Sequence, residues 1–257
     1  MPLNGKSSLI QQIANKANLA YKSCSPADSK DFSARRSELS ALLAELRAAD
    51  LNISPPKKSS NSGSGSSAAP VTYMHICETD AFSMGVFLLR SGCSIPLHDH
   101  PDMHGMLKVL YGKVRIRCFD KLERPQNAGV SEDGGGGPSQ PQSSQSPSQE
   151  ASPVWQAELR STSEFTEHSS PCLLTPLRDN LHQIEAIEGP AAFLDILAPP
   201  YDPDEGRDCH YYRVIHTERN SKEEEEVEEE MLLLLEIPQP DDFWCGGEPY
   251  PGPEVSL

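Results

Sequence analysis

Three histidines are the residues best placed to do chemistry in this chain. His98 and His100 are two apart, and in extended backbone side chains at that spacing share a face, so two imidazoles converge on one point. Neutral imidazole is a preferred ligand for iron, copper, nickel and zinc, and this spacing needs no helix to hold it. Pro96 and Pro101 bracket the pair; neither can donate to a ladder, which predicts a short strand whose end opens toward a ligand. A metal needs more donors, and His182 is the best third. It starts a run in which Ile184 and Ala186 share its face while Gln183 and Glu185 point away, so its ring enters the core, where it needs a hydrogen bond or a metal. His104 lies beyond the Pro101 break and is assigned to the surroundings of the site or to the surface, and His75, His168, His210 and His216 have no comparable context.

The elements that must position these rings are short strands. Val71–Cys77, Ser83–Leu89, Met106–Tyr111 and Val114–Phe119 are rich in β-branched and aromatic residues, and in the last of them Val114, Ile116 and Cys118 alternate with Arg115 and Arg117. Tyr111-Gly112 is read as the turn between two paired strands. Strand signals continue at Val154–Leu159, Cys172–Thr175, His182–Ile187, Ala191–Leu197, Cys209–Ile215 and Met231–Ile237. Many short strands without βαβ alternation or a repeat period predict a mainly β fold, a sandwich or double-stranded barrel, whose later strands cross the same cavity as the first pair of histidines.

Before the strands come two helical patterns. Ser8 and Gln11 have the form of a capping box ahead of Ile10, Ile13, Ala14 and Ala17; Leu39, Leu42, Leu43 and Leu46 then share one face until Asn52, Pro55 and Pro56. The chain therefore divides into a helical segment 1–56 packed on the barrel, a Ser/Gly linker 57–70, and a β domain 71–257. That domain is interrupted by a low-complexity insertion 125–153, expected to be disordered, and by an acidic loop 221–230.

Composition narrows the function. The net charge of −16 repels phosphate backbones and argues against nucleic acid as a partner. Cys24, Cys77, Cys93, Cys118, Cys172, Cys209 and Cys245 are odd in number and form no Cys-x-x-Cys pair, as expected of reduced intracellular thiols. No stretch approaches a membrane span, and a cytoplasmic monomer is expected. Residues 1–27 carry Lys6, Lys16 and Lys22 and no acid before Asp28, a pattern a mitochondrial presequence would share, although no arginine precedes Arg35.

The pattern Gly92, His98-Asp-His100, Gly105, Gly112 resembles the first motif of the cupin superfamily, with Gly105 where many members place a ligating glutamate. The second motif is degenerate: Pro176 precedes His182, but the usual glycine is missing and Ala186 replaces the asparagine. The wording His-Asp-His-Pro-Asp-Met-His-Gly-Met-Leu-Lys-Val-Leu-Tyr-Gly, Leu-Asp-Ile-Leu-Ala-Pro-Pro-Tyr and Asp-Cys-His-Tyr-Tyr is similar to the thiol dioxygenase family within that superfamily. The likeness covers Val71 to the C-terminus apart from the insertion and the acidic run.

That resemblance implies a cupin-type jelly-roll barrel and an Fe(2+) held by His98, His100 and His182. It implies oxidation by O2 of cysteamine to hypotaurine, and of N-terminal cysteine in proteins or peptides to the sulfinic acid, which marks them for the N-degron pathway. Related enzymes carry a Cys-Tyr thioether near iron, which makes Cys209 and Tyr211 a candidate pair. Asp195 interrupts the apolar run Phe193–Leu197; a buried carboxylate needs a partner, and the substrate ammonium is expected to supply it, with Tyr201 and Tyr211 lining the pocket. Asp99 is expected to face away from the metal with no catalytic part. Rival readings are a cupin that has lost catalysis and serves as a metal-stabilised binding module, and the same enzyme with nickel or zinc.

Overall fold

The computed structural model describes residues 7–22, 29–56, 68–122, 153–216 and 232–257. The linker, insertion and acidic loop read from the sequence lie outside these ranges, apart from residues 68–70 and 153.

Ser8 caps α1 (Leu9–Tyr21), its hydroxyl accepting from the Gln11 amide at 3.3 Å. The return half of the capping box is missing, because the Gln11 side chain donates instead to Asn15 and to the Ser256 carbonyl. Helix α2 (Ser29–Ala44) ends earlier than the prolines suggest, since a 3-10 turn at Ala48–Leu51 intervenes. Leu39, Leu43 and Leu46 are fully buried and Leu42 only partly. These side chains share one cluster with Ile10, Ile13, Met84, Val86, Met106, Leu194 and Ile196, so the apolar faces of the helices are buried on one face of the strands.

Ten strands follow: β1 (Val71–Glu78), β2 (Ser83–Leu89), β3 (Ser94–His98), β4 (His104–Lys121), β5 (Val154–Thr166), β6 (Cys172–Leu174), β7 (Leu181–Ala198), β8 (Tyr211–His216), β9 (Leu232–Ile237) and β10 (Cys245–Gly247). They hydrogen-bond in the order β10-β1-β2-β7-β3-β8-β9-β5-β4-β6, and an additional β4–β7 pairing closes β7, β3, β8, β9, β5 and β4 into a ring. This is the mainly β barrel expected from the sequence. Val109, Val114, Ile116, Ile184, Ala186 and Phe193 pack together in a second buried cluster, built on the strand faces that alternate with those under the helices.

Two expectations are corrected. Tyr111-Gly112 is not a turn, and the two predicted strands around it are the single strand β4; likewise the predicted strands on either side of Gly189 are the single strand β7. Both halves of β4 pair with both halves of β7, as in Met106↔Ile196 and Ile116↔Ile184, so the glycine interruptions bend one long pair around the barrel. Gly112 sits at φ +76°, and a Cβ there would lie 2.4 Å from the Pro190 carbonyl oxygen, so this crossing requires glycine. The three-residue β10, a parallel partner of β1, has no sequence signal of its own.

Candidate metal centre

His98 reaches the barrel interior through a bulge. Ile95 pairs with Ile184 and His98 with His182, yet Ile95 and His98 are three residues apart while Ile184 and His182 are two apart. The extra residue on β3, beside Pro96, turns His98 onto the face that His182 occupies. β3 ends at His98, so His100 lies past the strand and the simple i, i+2 reading of the pair does not hold. A long-range brace places His100 instead. Its ring Nδ1 meets the Asn180 carbonyl oxygen at 2.9 Å, its amide donates to Asn180 Oδ1, and Asn180 Nδ2 donates back to the His100 carbonyl at 2.7 Å. His98 Nδ1 meets the Pro96 carbonyl oxygen at 2.9 Å. With Nδ1 protonated toward a carbonyl in both rings, the lone pair sits on Nε2.

The three imidazoles come together as expected. Their ring centroids are 4.6–4.9 Å apart, and a ligand atom from each lies within 4.8 Å of the others. All three residues are buried. Burial disfavours the imidazolium forms of all three, and repulsion from neighbouring rings adds to it at His100 and His182; His98 and His182 are pushed below the ordinary histidine value and His100 down to about 3. Three neutral, buried, convergent nitrogen donors whose other ring nitrogens are engaged in at least two cases fit a transition metal. No carboxylate or thiolate joins the set among the described residues.

A cavity of about 480 Å³, which none of the three rings lines, is walled by Tyr73, Glu78, Phe87, Asp195, Tyr201 and Cys245 among others. Tyr201 joins it to the metal centre, its ring centroid 5.6 Å from that of His100. Asp195 is buried, and burial pushes its carboxyl up to about 7, against one backbone hydrogen bond from Ile196. Tyr211 is not part of this wall, contrary to expectation. It pairs with His98 in register, and its ring stands 6.4 Å from His98 and 5.9 Å from Phe243. Cys209 precedes β8 rather than lying within it, so strand parity does not pair it with Tyr211; its thiol, pushed up to about 11 by burial, is nevertheless within hydrogen-bonding reach of the Tyr201 and Tyr211 hydroxyls. His104 stands apart from the three rings, stacked on Tyr21 and edge-on to Phe32 of the helices.

Asn180 and His210 were given no role by the sequence. Asn180 stands two residues before His182, where nothing local marks it as the brace of a ring eighty positions earlier. His210 contacts Asp99, whose carboxylate points away from the imidazoles, as expected.

A family profile described as PCO_ADO matches residues 42–255. The chain belongs to this family. It is 51% identical to 2-aminoethanethiol dioxygenase from Homo sapiens over 99% of both chains. It is 31% identical to plant cysteine oxidase 1 from Arabidopsis thaliana, over 72% of this chain and 57% of the relative. Among solved structures, KdgF from a Halomonas species aligns at a TM-score of 0.33 with 9% identity, covering 52% of this chain and 84% of its own. Among the described residues of this family member, no helix is long and apolar enough to cross a membrane.

Proposed function

We propose that this chain is a thiol dioxygenase that holds Fe(II) through His98, His100 and His182. Its substrates are cysteamine and the N-terminal cysteine of peptides or proteins; one O2 is consumed per thiol, and both oxygen atoms end on sulfur as the sulfinic acid. The observation that carries this reading is the buried cluster of three imidazoles without a carboxylate, in a chain that matches 2-aminoethanethiol dioxygenase across its length. Likeness to plant cysteine oxidases supports the cysteine side of the activity. When bound, a ferrous ion with three neutral ligands would supply a redox-active Lewis acid at which thiolate and O2 react within one complex.

The protein's own residues do the rest. Pro96 and Asn180 hold the His98 and His100 rings in one tautomer, and the buried setting keeps them unprotonated as donors. Asp195 accepts the substrate ammonium, which relieves a carboxylate that burial otherwise penalises. Tyr201 forms the wall between that carboxylate and the imidazoles. The cavity has room for more than a two-carbon aminothiol, which suits a peptide N-terminus. The reach of the Cys209 thiol to the Tyr211 hydroxyl supports a thioether between the two, and peptide mapping that finds both side chains unmodified after turnover would exclude it.

The decisive experiment loads the anaerobic protein with Fe(II), admits O2 with cysteamine or a Cys-initiated peptide, and follows oxygen uptake with product mass. One O2 per thiol and a product heavier by two oxygen atoms are expected. A disulfide product, or equal turnover with zinc or nickel, would overturn the assignment. Sulfinic acid at a protein N-terminus would then link oxygen supply to N-degron recognition.

A further inference from the structure

Asp99 lies between two of the proposed metal ligands, is only 4% exposed, and is fully engaged in polar contacts that all lead away from the metal. Oδ1 accepts from the His210 amide at 3.0 Å and lies 3.2 Å from His210 Nδ1. Oδ2 accepts from Lys121 Nζ at 3.1 Å and from the Tyr212 hydroxyl at 2.7 Å. The backbone of Asp99 adds two contacts, its amide donating to the His210 carbonyl and its carbonyl accepting from the Tyr201 hydroxyl at 2.7 Å. Lys121 is itself fixed, 4.4 Å from the centroid of the Trp155 ring and 2.7 Å from the Tyr212 oxygen.

These partners share a location. Tyr201, His210 and Tyr212 all belong to the stretch that carries Cys209 and Tyr211 past the imidazoles, and Lys121 ends β4. The rings of His98 and His100 are braced by other groups, the Pro96 and Asn180 carbonyls. A buried carboxylate is expensive unless every lone pair is used, so its retention here calls for a purpose that an apolar residue could not serve.

We propose that Asp99 is a positioning residue that clamps segment 201–212 to the His98–His100 stretch, setting the substrate wall without touching metal or substrate. The backbone of Asp99 extends the clamp to Tyr201, whose hydroxyl is committed to the Asp99 carbonyl while its ring stands tilted beside His100. The proposal rests on the thiol dioxygenase reading for what the wall receives, but the clamp itself can be measured without turnover.

The test uses the full chain with Asp99→Ala, and Lys121→Met combined with Tyr212→Phe as a second route that leaves position 99 intact. Three quantities are read: amide hydrogen exchange of residues 208–212, metal bound per chain after anaerobic Fe(II) loading, and the Kd of a Cys-initiated peptide measured by calorimetry without O2. Removing charge-assisted hydrogen bonds should speed exchange at His210 by about tenfold or more and weaken peptide binding by about tenfold, with metal content unchanged. Lys121→Arg combined with Tyr212→Phe, which keeps the cation, should restore most of the exchange protection lost in the Lys121→Met, Tyr212→Phe variant. Unchanged exchange at His210 would overturn the clamp, unchanged peptide affinity despite faster exchange would overturn its role in the wall, and loss of metal would assign Asp99 to the ligands instead. If the wild-type protein oxidises no thiol, the proposed function fails while exchange and peptide affinity still decide the clamp.

Discussion

Replacing Asp195 with asparagine should make the metal-free protein more resistant to alkaline conditions while impairing recognition of amines. The Asp195 carboxyl is buried opposite Gly85 and Leu107, receives one backbone hydrogen bond, and among the described residues has no ion-pair partner. Burial raises it from 3.8 to about 7. A carboxyl raised in the folded state binds its proton more tightly there than in the unfolded chain. Stability is therefore greatest below 3.8 and falls as pH rises toward 7, after which the loss is complete. The shift corresponds to a penalty of about 4 kcal/mol at pH 8 and about 1.5 kcal/mol at pH 5; water in the cavity makes both figures ceilings. Urea unfolding of wild type and Asp195→Asn at the two pH values isolates this group, because contributions from distant groups cancel. The variant should gain on wild type by up to about 3 kcal/mol between pH 5 and pH 8. With Fe(II) and O2 present, KM for cysteamine should fall in wild type as pH rises through about 7, since the ionised carboxylate is the form that binds ammonium. That dependence should vanish in Asp195→Asn, while KM for 2-mercaptoethanol, which has no amine, should differ little between the two. Parallel stability curves at both pH values would refute the buried-carboxylate argument, and an equal effect on both thiols would refute the ammonium contact.

Three further outcomes follow from the geometry. Asn180→Ala removes the side-chain half of the His100 brace and should weaken metal binding by about 10–100-fold, as outer partners of ligating histidines generally do, measured by competition with a chromophoric chelator. His182→Ala removes a ligand outright and should reduce affinity further, with metal per chain after desalting as the readout. Gly112→Ala combines a left-handed backbone with a Cβ 2.4 Å from a backbone oxygen, and should lower the urea midpoint by an amount equivalent to about 2 kcal/mol or more.

The barrel was legible in the sequence wherever a strand buries one face only. Val114, Ile116 and Cys118 alternate with half-exposed arginines, and His182–Ile187 shows the same alternation that turned His182 inward. Parity failed where the chain breaks its own period. The bulge at Pro96 reverses the facing of His98 relative to Ile95, and only the pairing with β7 reveals it. Glycine at 112 reads as a turn because local chemistry allows both a turn and a bend, and the choice is made by a partner strand more than seventy residues later. Asn180 and His210 escaped for the same reason: a side chain that braces a residue 80 or 111 positions away leaves no local periodicity. The lack of a carboxylate beside the three rings among the described residues shows both limits at once. One letter, Gly105 where the resemblance to cupins implies a glutamate, announced it. The packing reason lies across the sheet, where a Cβ at 105 would meet Leu174 Cγ at 2.7 Å. Leu174 is buried on β6 directly opposite Gly105, so any larger residue there must first displace it. The all-histidine cluster found among the described residues is thus tied to the packing of β6, which contributes none of its rings.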